Sequence, residues 1–162
     1  MLQFLLTLTL SLSLSLTLAL PLAARAAPVE AGQPLPELRL EDQHGQPWRI
    51  EAETRLLILA AGRQASNRVQ SVLGMQPKDF LATRRAVYLA DMSRMPGLIT
   101  RTFALPALRE QPFRVGVSLD EAALAEWPRQ AEAVTLIHLE RGRVQRIEFA
   151  DSEAQLRRAL GL

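Results

Sequence analysis

The polar residues best suited to chemistry follow a short apolar stretch, Leu56–Ala61, which Gly62 interrupts. The polar residues after Gly62 could open a helix. The N–H groups at the start of a helix lack partners and carry a partial positive charge. Guanidinium groups, in turn, bind carboxylates and phosphates. We therefore predict an anion-binding site, built from backbone N–H groups around Ser66–Arg68 and from nearby polar or cationic side chains. The candidate residues are Arg63, Ser66, Asn67, Arg68 and Arg94.

These residues also fit a purely structural role. Ser66 or Asn67 can cap a helix that runs to Leu73, because their side-chain oxygens accept hydrogen bonds from the first N–H groups. The arginines would then be solvated surface residues. Open α/β sheets bind ligands in a crevice at the ends of their strands, and these residues are expected at such a crevice. If the chain is instead an enzyme, Asp91 or Arg68 is the candidate participant there. We favour binding over catalysis and assign no catalytic residue.

The lack of cysteine excludes several chemistries. With no cysteine in the chain, a disulfide framework and thiol catalysis are both excluded. His44 and His138 are the only imidazoles, and two histidines without cysteine fall short of a zinc site. Copper binding through the thioethers of Met75, Met92 and Met95 stays as an alternative, although methionines beside apolar helices usually fill cores. We expect neither a metal nor a cofactor.

Residues 1–26 are typical of an export signal. Leucine recurs with Thr and Ser through the first twenty residues, and Ala24-Arg25-Ala26 supplies the small residues that a signal peptidase reads. No Lys or Arg precedes the apolar run, and its length approaches the roughly 20 residues that span a bilayer as a helix. An uncleaved membrane anchor is therefore the alternative. We expect a periplasmic protein.

The rest of the chain has the size of one domain. Its charges give no reason to expect nucleic acid as a partner, because the 19 basic and 17 acidic side chains of the chain nearly balance. Residues 27–36 are proline-rich and are predicted to form an extended lead-in. Residues 37–162 are predicted to form the domain.

Strands and helices alternate along that domain. Three apolar runs of strand length, Leu56–Ala61, Ala86–Ala90 and Phe113–Leu119, predict buried strands in one sheet. Apolar residues at helical spacing predict a helix that begins near Pro96 and ends before Pro106.

Both ends of the domain carry hairpin patterns, in which two short alternating runs flank a polar turn. The runs are Leu38–Leu40 with Trp48–Ile50, and Val134–Leu139 with Val144–Phe149. A closing helix follows, for which Ser152 and Gln155 form a capping box.

In this order the elements resemble the thioredoxin-like superfamily. The likeness is greatest to exported members with an extra N-terminal hairpin, such as the thioredoxin-like proteins of cytochrome maturation and the peroxiredoxins. It covers about residues 34 to 162 and rests on the hairpins LRLEDQHGQPWRI and VTLIHLERGRV. The resemblance implies an α/β fold with a central mixed sheet, an N-terminal β-hairpin, a closing antiparallel hairpin and flanking helices.

The resemblance also implies where a redox site would lie. The superfamily places a cysteine pair at the start of the helix after the first central strand, and a proline, usually cis, before the closing hairpin. Here Ala65 and Arg68 stand at the cysteine positions, and Ala133 stands at the proline position. We conclude that the chain is neither a thiol–disulfide oxidoreductase nor a thiol peroxidase.

These observations predict an exported, non-redox, thioredoxin-like binding or adaptor protein of the bacterial envelope. Its expected partner is an envelope protein or a small anion, and membrane contact is expected only if the signal stays uncleaved. Two alternatives remain: an enzyme that uses non-thiol groups at the crevice, and a periplasmic copper-binding protein that uses its methionines.

Overall fold

A mixed sheet of seven strands forms the centre of the domain. The computed structural model describes residues 28–162, so the predicted signal at residues 1–26 lies outside the described part of the chain. The strand order is β2-β1-β5-β4-β3-β6-β7, in which β3, β4 and β5 run parallel. The strands are β1 (Leu40–Asp42), β2 (Pro47–Trp48), β3 (Leu56–Ala61), β4 (Ala86–Asp91), β5 (Val115–Ser118), β6 (Val134–Glu140) and β7 (Arg143–Ala150).

The three predicted central strands lie side by side in this sheet, which confirms the prediction made from their apolar runs. β3 has the predicted bounds, and the side chains from Leu57 to Ala60 are fully buried. Such a strand is apolar at every position because both of its faces are covered. One core cluster packs against the helices on one face, and a second packs around Trp48 and Trp127 on the other.

Helices cover the sheet and connect its strands. They are α1 (Arg63–Leu73), α2 (Phe80–Thr83), α3 (Gly97–Ile99), a π-helical stretch (Thr100–Ala104), α4 (Leu105–Arg109), a 3-10 turn (Ala122–Leu124) and α5 (Glu153–Ala159). The predicted cap of α5 is confirmed, since the N–H of Gln155 donates to the Ser152 hydroxyl, 3.3 Å away. Both predicted hairpins are present as β1–β2 and β6–β7.

The predicted start of α1 was wrong. Ser66 and Asn67 do not cap the helix, which begins at Arg63 with Gly62 as its N-cap and with no side-chain cap bond. Gly62 adopts φ 94° and ψ 170°, a conformation that only glycine reaches without strain. The chain therefore turns sharply there, and the N–H of Ser66 already donates to the Gly62 carbonyl oxygen, 3.1 Å away.

The predicted helix between Pro96 and Pro106 differs in two ways. Pro106 does not end it but lies in the first turn of α4, and the helical segment continues to Arg109. A straight α-helix would push the Pro106 ring against a carbonyl of the preceding turn, and the wider π-helical stretch before it relieves that clash. The apolar side chains Leu98 and Phe103 face solvent instead of the core.

The lead-in packs against the domain. Pro34 forms an isolated bridge with Arg143, and Val29 is buried in the second core cluster. Between residues 28 and 162, none of the helices is both long enough and apolar enough to cross a bilayer.

Replacement of Gly116 by alanine should lower the free energy of unfolding by about 1–3 kcal/mol. An added Cβ would lie 2.6 Å from Cδ2 of the buried Trp48 ring, so the ring or the β5 backbone would have to shift. Gly97→Ala is the control, because its Cβ would meet only the flexible end of Arg101, 3.4 Å away. Urea unfolding of both variants measures the difference. Equal midpoints for the two variants would contradict the packing described.

Candidate functional site

The candidate site lies at the end of the sheet where the parallel strands finish. We call this end the carboxyl edge and the space beside it the crevice. β3 ends at Ala61 and leads into α1, and β4 ends at Asp91. β6 runs antiparallel to β3, so its first residue, Val134, reaches the same edge. Open α/β sheets bind ligands at this edge. Three segments meet there: the start of α1, the loop after β4 and the loop before β6.

A buried ion pair joins two of these segments. Arg129 Nη1 lies 2.8 Å from Asp91 Oδ2, and only 2 % of the Asp91 side chain and 19 % of the Arg129 side chain are exposed. The N–H bonds of Arg129 are not aligned on that oxygen, which therefore lacks a hydrogen bond of good geometry. The contact is thus electrostatic.

Further hydrogen bonds hold both partners of the ion pair in place. Asp91 Oδ1 accepts from the Ser93 N–H at 3.0 Å and from the Ser93 hydroxyl at 2.6 Å. Arg129 Nη2 donates to the Leu124 carbonyl oxygen, 2.6 Å away. Thr135 in β6 donates through its hydroxyl to the Pro128 carbonyl oxygen, 3.0 Å away. The loop before β6 is therefore fixed at both ends.

Glu132 joins the same loop to α1. Gln64 Nε2 donates to Glu132 Oε1 at 2.9 Å, and Arg68 Nη1 donates to the Glu132 carbonyl oxygen. Glu132 has φ 61°, a left-handed conformation that non-glycine residues rarely adopt. A carboxylate of the chain itself therefore stands beside the helix start, where the sequence predicts a bound anion.

The predicted site residues have different roles in the structure. Arg63 and Asn67 are exposed at the start of α1. Arg68 bonds to Glu132, as described above. Arg94 Nε lies 3.0 Å from Glu121 Oε1 on the surface, so its charge is already balanced. The structure thus connects Arg68 to the loop before β6 and directs Arg94 toward the segment after β5.

Ser66 faces inward toward Tyr88, whose hydroxyl is fully buried and has no hydrogen-bond partner of good geometry. Burial raises the pKa of Tyr88 well above its ordinary value, and the nearby Ser66 hydroxyl partly opposes that shift. Sequence reasoning missed Arg129 and Glu132, because neither has a local pattern that links it to residues about 40 to 70 positions earlier.

Of the three positions that resemble the superfamily's redox site, one cysteine position and the proline position hold small apolar groups, and the other cysteine position holds Arg68. Ala65 is fully buried in the first turn of α1, and the buried Ala133 directly precedes β6. All peptide bonds from residue 28 onward are trans. A methyl group can neither attack nor be oxidised, so this arrangement has no thiol chemistry.

Metal-binding features are sparse in the described residues. No cluster of three or more His, Asp or Glu side chains suited to a metal occurs between residues 28 and 162. Met92 is buried in the first core cluster, and the thioether of Met75 is exposed near Arg157. His138 Nε2 lies 2.8 Å from Glu148 Oε2, and this hydrogen bond lowers the pKa of Glu148.

A large open groove lies at the other end of the strands, where the parallel strands begin. It encloses about 1240 Å³ between the β1–β2 hairpin and α2. Three of its arginines already pair with acidic residues of the chain. The charges of this groove are therefore mostly satisfied within the chain.

Comparison with known proteins shows the fold. No family model and no curated protein matches the sequence. A peroxidoxin from Mycobacterium tuberculosis is 14 % identical with a TM-score of 0.54, over 82 % of this chain and 95 % of that one. A thio-disulfide isomerase from Thermus thermophilus is 16 % identical with a TM-score of 0.53, over the same shares.

The thioredoxin domain of a thiol-disulfide oxidoreductase from Bacteroides vulgatus is 8 % identical with a TM-score of 0.51, over 82 % of this chain and 99 % of that one. These likenesses confirm the predicted thioredoxin-like fold, and this chain contains no cysteine.

Replacement of Arg129 by methionine should lower the free energy of unfolding by about 3–5 kcal/mol, because it leaves the buried Asp91 carboxylate without its counter-charge. Arg94→Met is the matched control. It removes an arginine from an ion pair whose partners are 71 % and 63 % exposed, which should cost less than about 1 kcal/mol. Chemical denaturation of both variants checks this. A loss as small for Arg129→Met as for Arg94→Met would show that the buried pair is unimportant.

Proposed function

We propose that this thioredoxin-like, cysteine-free chain is a non-redox binding or adaptor protein of the bacterial envelope. The observation that carries the proposal is the state of the crevice. Where a redox pair would stand, the first position holds the buried methyl group of Ala65 and the second holds Arg68, and the surrounding polar groups form bonds that involve Asp91, Arg129 and Glu132. The edge is thereby held rigid without a reactive atom. A rigid, unreactive edge suits recognition.

Large apolar side chains next to this edge supply a surface for a partner. Leu98, Phe103 and Leu119 are 75 %, 64 % and 58 % exposed. Leu119 directly follows β5, and Leu98 lies in the helix that follows β4, so both chain segments leave the sheet at its carboxyl edge. A contiguous exposed apolar patch marks an interaction site, and we propose that these three side chains contribute to one such patch. We call Leu98, Phe103 and Leu119 the apolar rim.

The envelope location rests on residues 1–26, whose leucine-rich run and small residues fit an export signal. An enzyme that uses Asp91 is the less favoured function. Its carboxylate is buried and already paired with Arg129, so it is poorly placed to meet a substrate.

Replacement of Leu98 by asparagine should abolish capture of a partner protein from envelope extract, because the change removes exposed apolar area from the rim and leaves the core intact. Met75→Asn is the matched control, since Met75 is 76 % exposed after the far end of α1. Tagged chains are used as bait, and captured proteins are identified by mass spectrometry. A partner lost equally from both variants, or turnover of a small molecule by the wild type, would overturn the proposed adaptor role.

Fractionation of the cells that produce the tagged chain tests the predicted periplasmic location. The chain should occur in the periplasmic fraction with the mass of residues 27–162. A chain with the full mass in the membrane fraction would favour the uncleaved anchor.

A small anion at the start of α1 is the second candidate ligand. It is favoured by the absence of a side-chain cap, which leaves the first N–H groups of the helix without that acceptor. It is opposed by the Glu132 carboxylate beside Gln64. An anion that binds there must therefore compete with Glu132.

Phosphate at a hundredfold excess over its dissociation constant should stabilise the wild type by about 2.7 kcal/mol if this second candidate is correct. Arg68→Glu should abolish the gain by placing a negative charge at the site. Glu132→Gln should strengthen binding by removing one. Melting temperatures across a phosphate titration measure all three chains, and equal responses would refute the anion site.

A further inference from the structure

The two outermost strands of the sheet, β2 and β7, differ in how well they are protected from pairing with another strand. β2 has only two residues, one of which is Pro47, and a short edge strand with proline resists pairing. β7 has eight residues, and the lead-in covers only its beginning. There the Val144 N–H donates to the Gln33 carbonyl oxygen at 2.9 Å, and the Val144 carbonyl oxygen accepts from the Gly32 N–H at 2.7 Å.

Hydrogen bonds establish which β7 residues direct their backbone outward. The Leu139 N–H donates to the Arg55 carbonyl oxygen, 2.8 Å away on the β3 side of β6. The neighbouring His138 therefore directs its backbone toward its β7 partner, Arg146. The register shifts between Val144 and Arg146, which pair with the consecutive residues Leu139 and His138, so the outward direction of Val144 does not continue in simple alternation past Gln145. From Arg146 onward the direction alternates along the strand, so Ile147 and Phe149 direct their N–H and C=O groups away from β6. Within residues 28–162, no backbone group bonds to them on that side.

We propose that β7 pairs with β7 of a second copy of this chain, antiparallel, with Ile147 opposite the partner's Ile147. This is a two-fold arrangement in which the same surface serves both copies. It extends the sheet from seven strands across the interface. The two Ile147 residues then exchange backbone hydrogen bonds at the axis.

Charge selects this register. With Ile147 on the axis, Arg146 faces the partner's Glu148, and Glu148 faces the partner's Arg146. Both contacts fall on non-hydrogen-bonded pairs, where side chains across an antiparallel ladder come closest. Moving Glu148 onto the axis would place it opposite the partner's Glu148, and like charges directly opposite each other destabilise pairing. Charges on an edge strand usually prevent pairing, but the order Arg-Ile-Glu is self-complementary.

The existing contacts of Glu148 leave room for the partner. Its Oε1 lies 3.2 Å from Arg146 Nε and its Oε2 lies 2.8 Å from His138 Nε2. A carboxylate offers about four acceptor positions, so a second guanidinium can bind as well. Phe149 is exposed beside Ile147, and pairing would cover part of its ring.

Charge reversal tests the interface. Sedimentation equilibrium of the purified wild type should give a concentration-dependent dimer. Arg146→Glu should give monomer, because each new glutamate faces the partner's Glu148. The double variant Arg146→Glu/Glu148→Arg should restore the dimer by exchanging the two charges. Arg39→Glu, at an exposed pair with Glu37 away from β7, is the control for net charge and should stay dimeric.

A cysteine placed at the axis gives a second, independent measurement. The chain contains no cysteine, so Ile147→Cys introduces a single thiol. Directly opposite Cα atoms in a hydrogen-bonded pair lie about 5.5 Å apart, within the range that a disulfide spans. Oxidation should therefore link two copies, whereas Gln145→Cys should stay unlinked, because it lies opposite the partner's Phe149. A wild type that is monomeric at every concentration, a double variant that stays monomeric, or equal linking of both cysteine variants would overturn the proposal.

Discussion

The ion pair between Asp91 and Arg129 is the constraint on which the crevice depends. It joins the end of β4 to the loop before β6, two segments that no backbone ladder connects at that point. Burial of two charges costs free energy, which their attraction and the bonds from Ser93 and to Leu124 offset. With one partner removed, the other charge would remain buried without compensation. The pair therefore keeps the loop before β6 in one position.

The position of the loop before β6 determines which polar groups stand beside the start of α1. Because the loop is fixed, Glu132 stands beside the first turns of α1 and accepts hydrogen bonds from Gln64 and Arg68. In a cysteine-containing member of this fold, the same turn would carry a thiol. Here the chain fills the space with Ala65 and satisfies much of the surrounding polarity internally. The proposed recognition surface lies beside the crevice, where large apolar side chains are exposed.

The fold was predictable from the sequence to the extent that it depends on local patterns. β3 was predicted with its observed bounds, because a fully buried strand is apolar at every residue. The exposed face of the helix after β4 was not predicted, because apolar spacing does not reveal whether a stripe meets the core or solvent. The cap of α1 was assigned to Ser66 or Asn67, although the conformation of Gly62 had already started the helix.

The site was less predictable than the fold. Arg68 was identified from its position in the turn, but its acceptor is a carbonyl oxygen 64 residues away. Arg129 follows a proline in a loop without periodicity, and its pairing with Asp91 depends on how the whole sheet folds. Contacts of this kind are set by tertiary structure, so no short segment of the sequence indicates them.

A double-mutant cycle between Asp91 and Arg129 tests this account most directly. The free energy of unfolding is measured by urea for the wild type, Asp91→Asn, Arg129→Met and the double variant. If the buried pair holds the crevice, the double variant loses less stability than the sum of the single losses, with a coupling free energy of about 0.5–3 kcal/mol. Single losses that add without coupling would contradict the account, because the two side chains would then contribute independently.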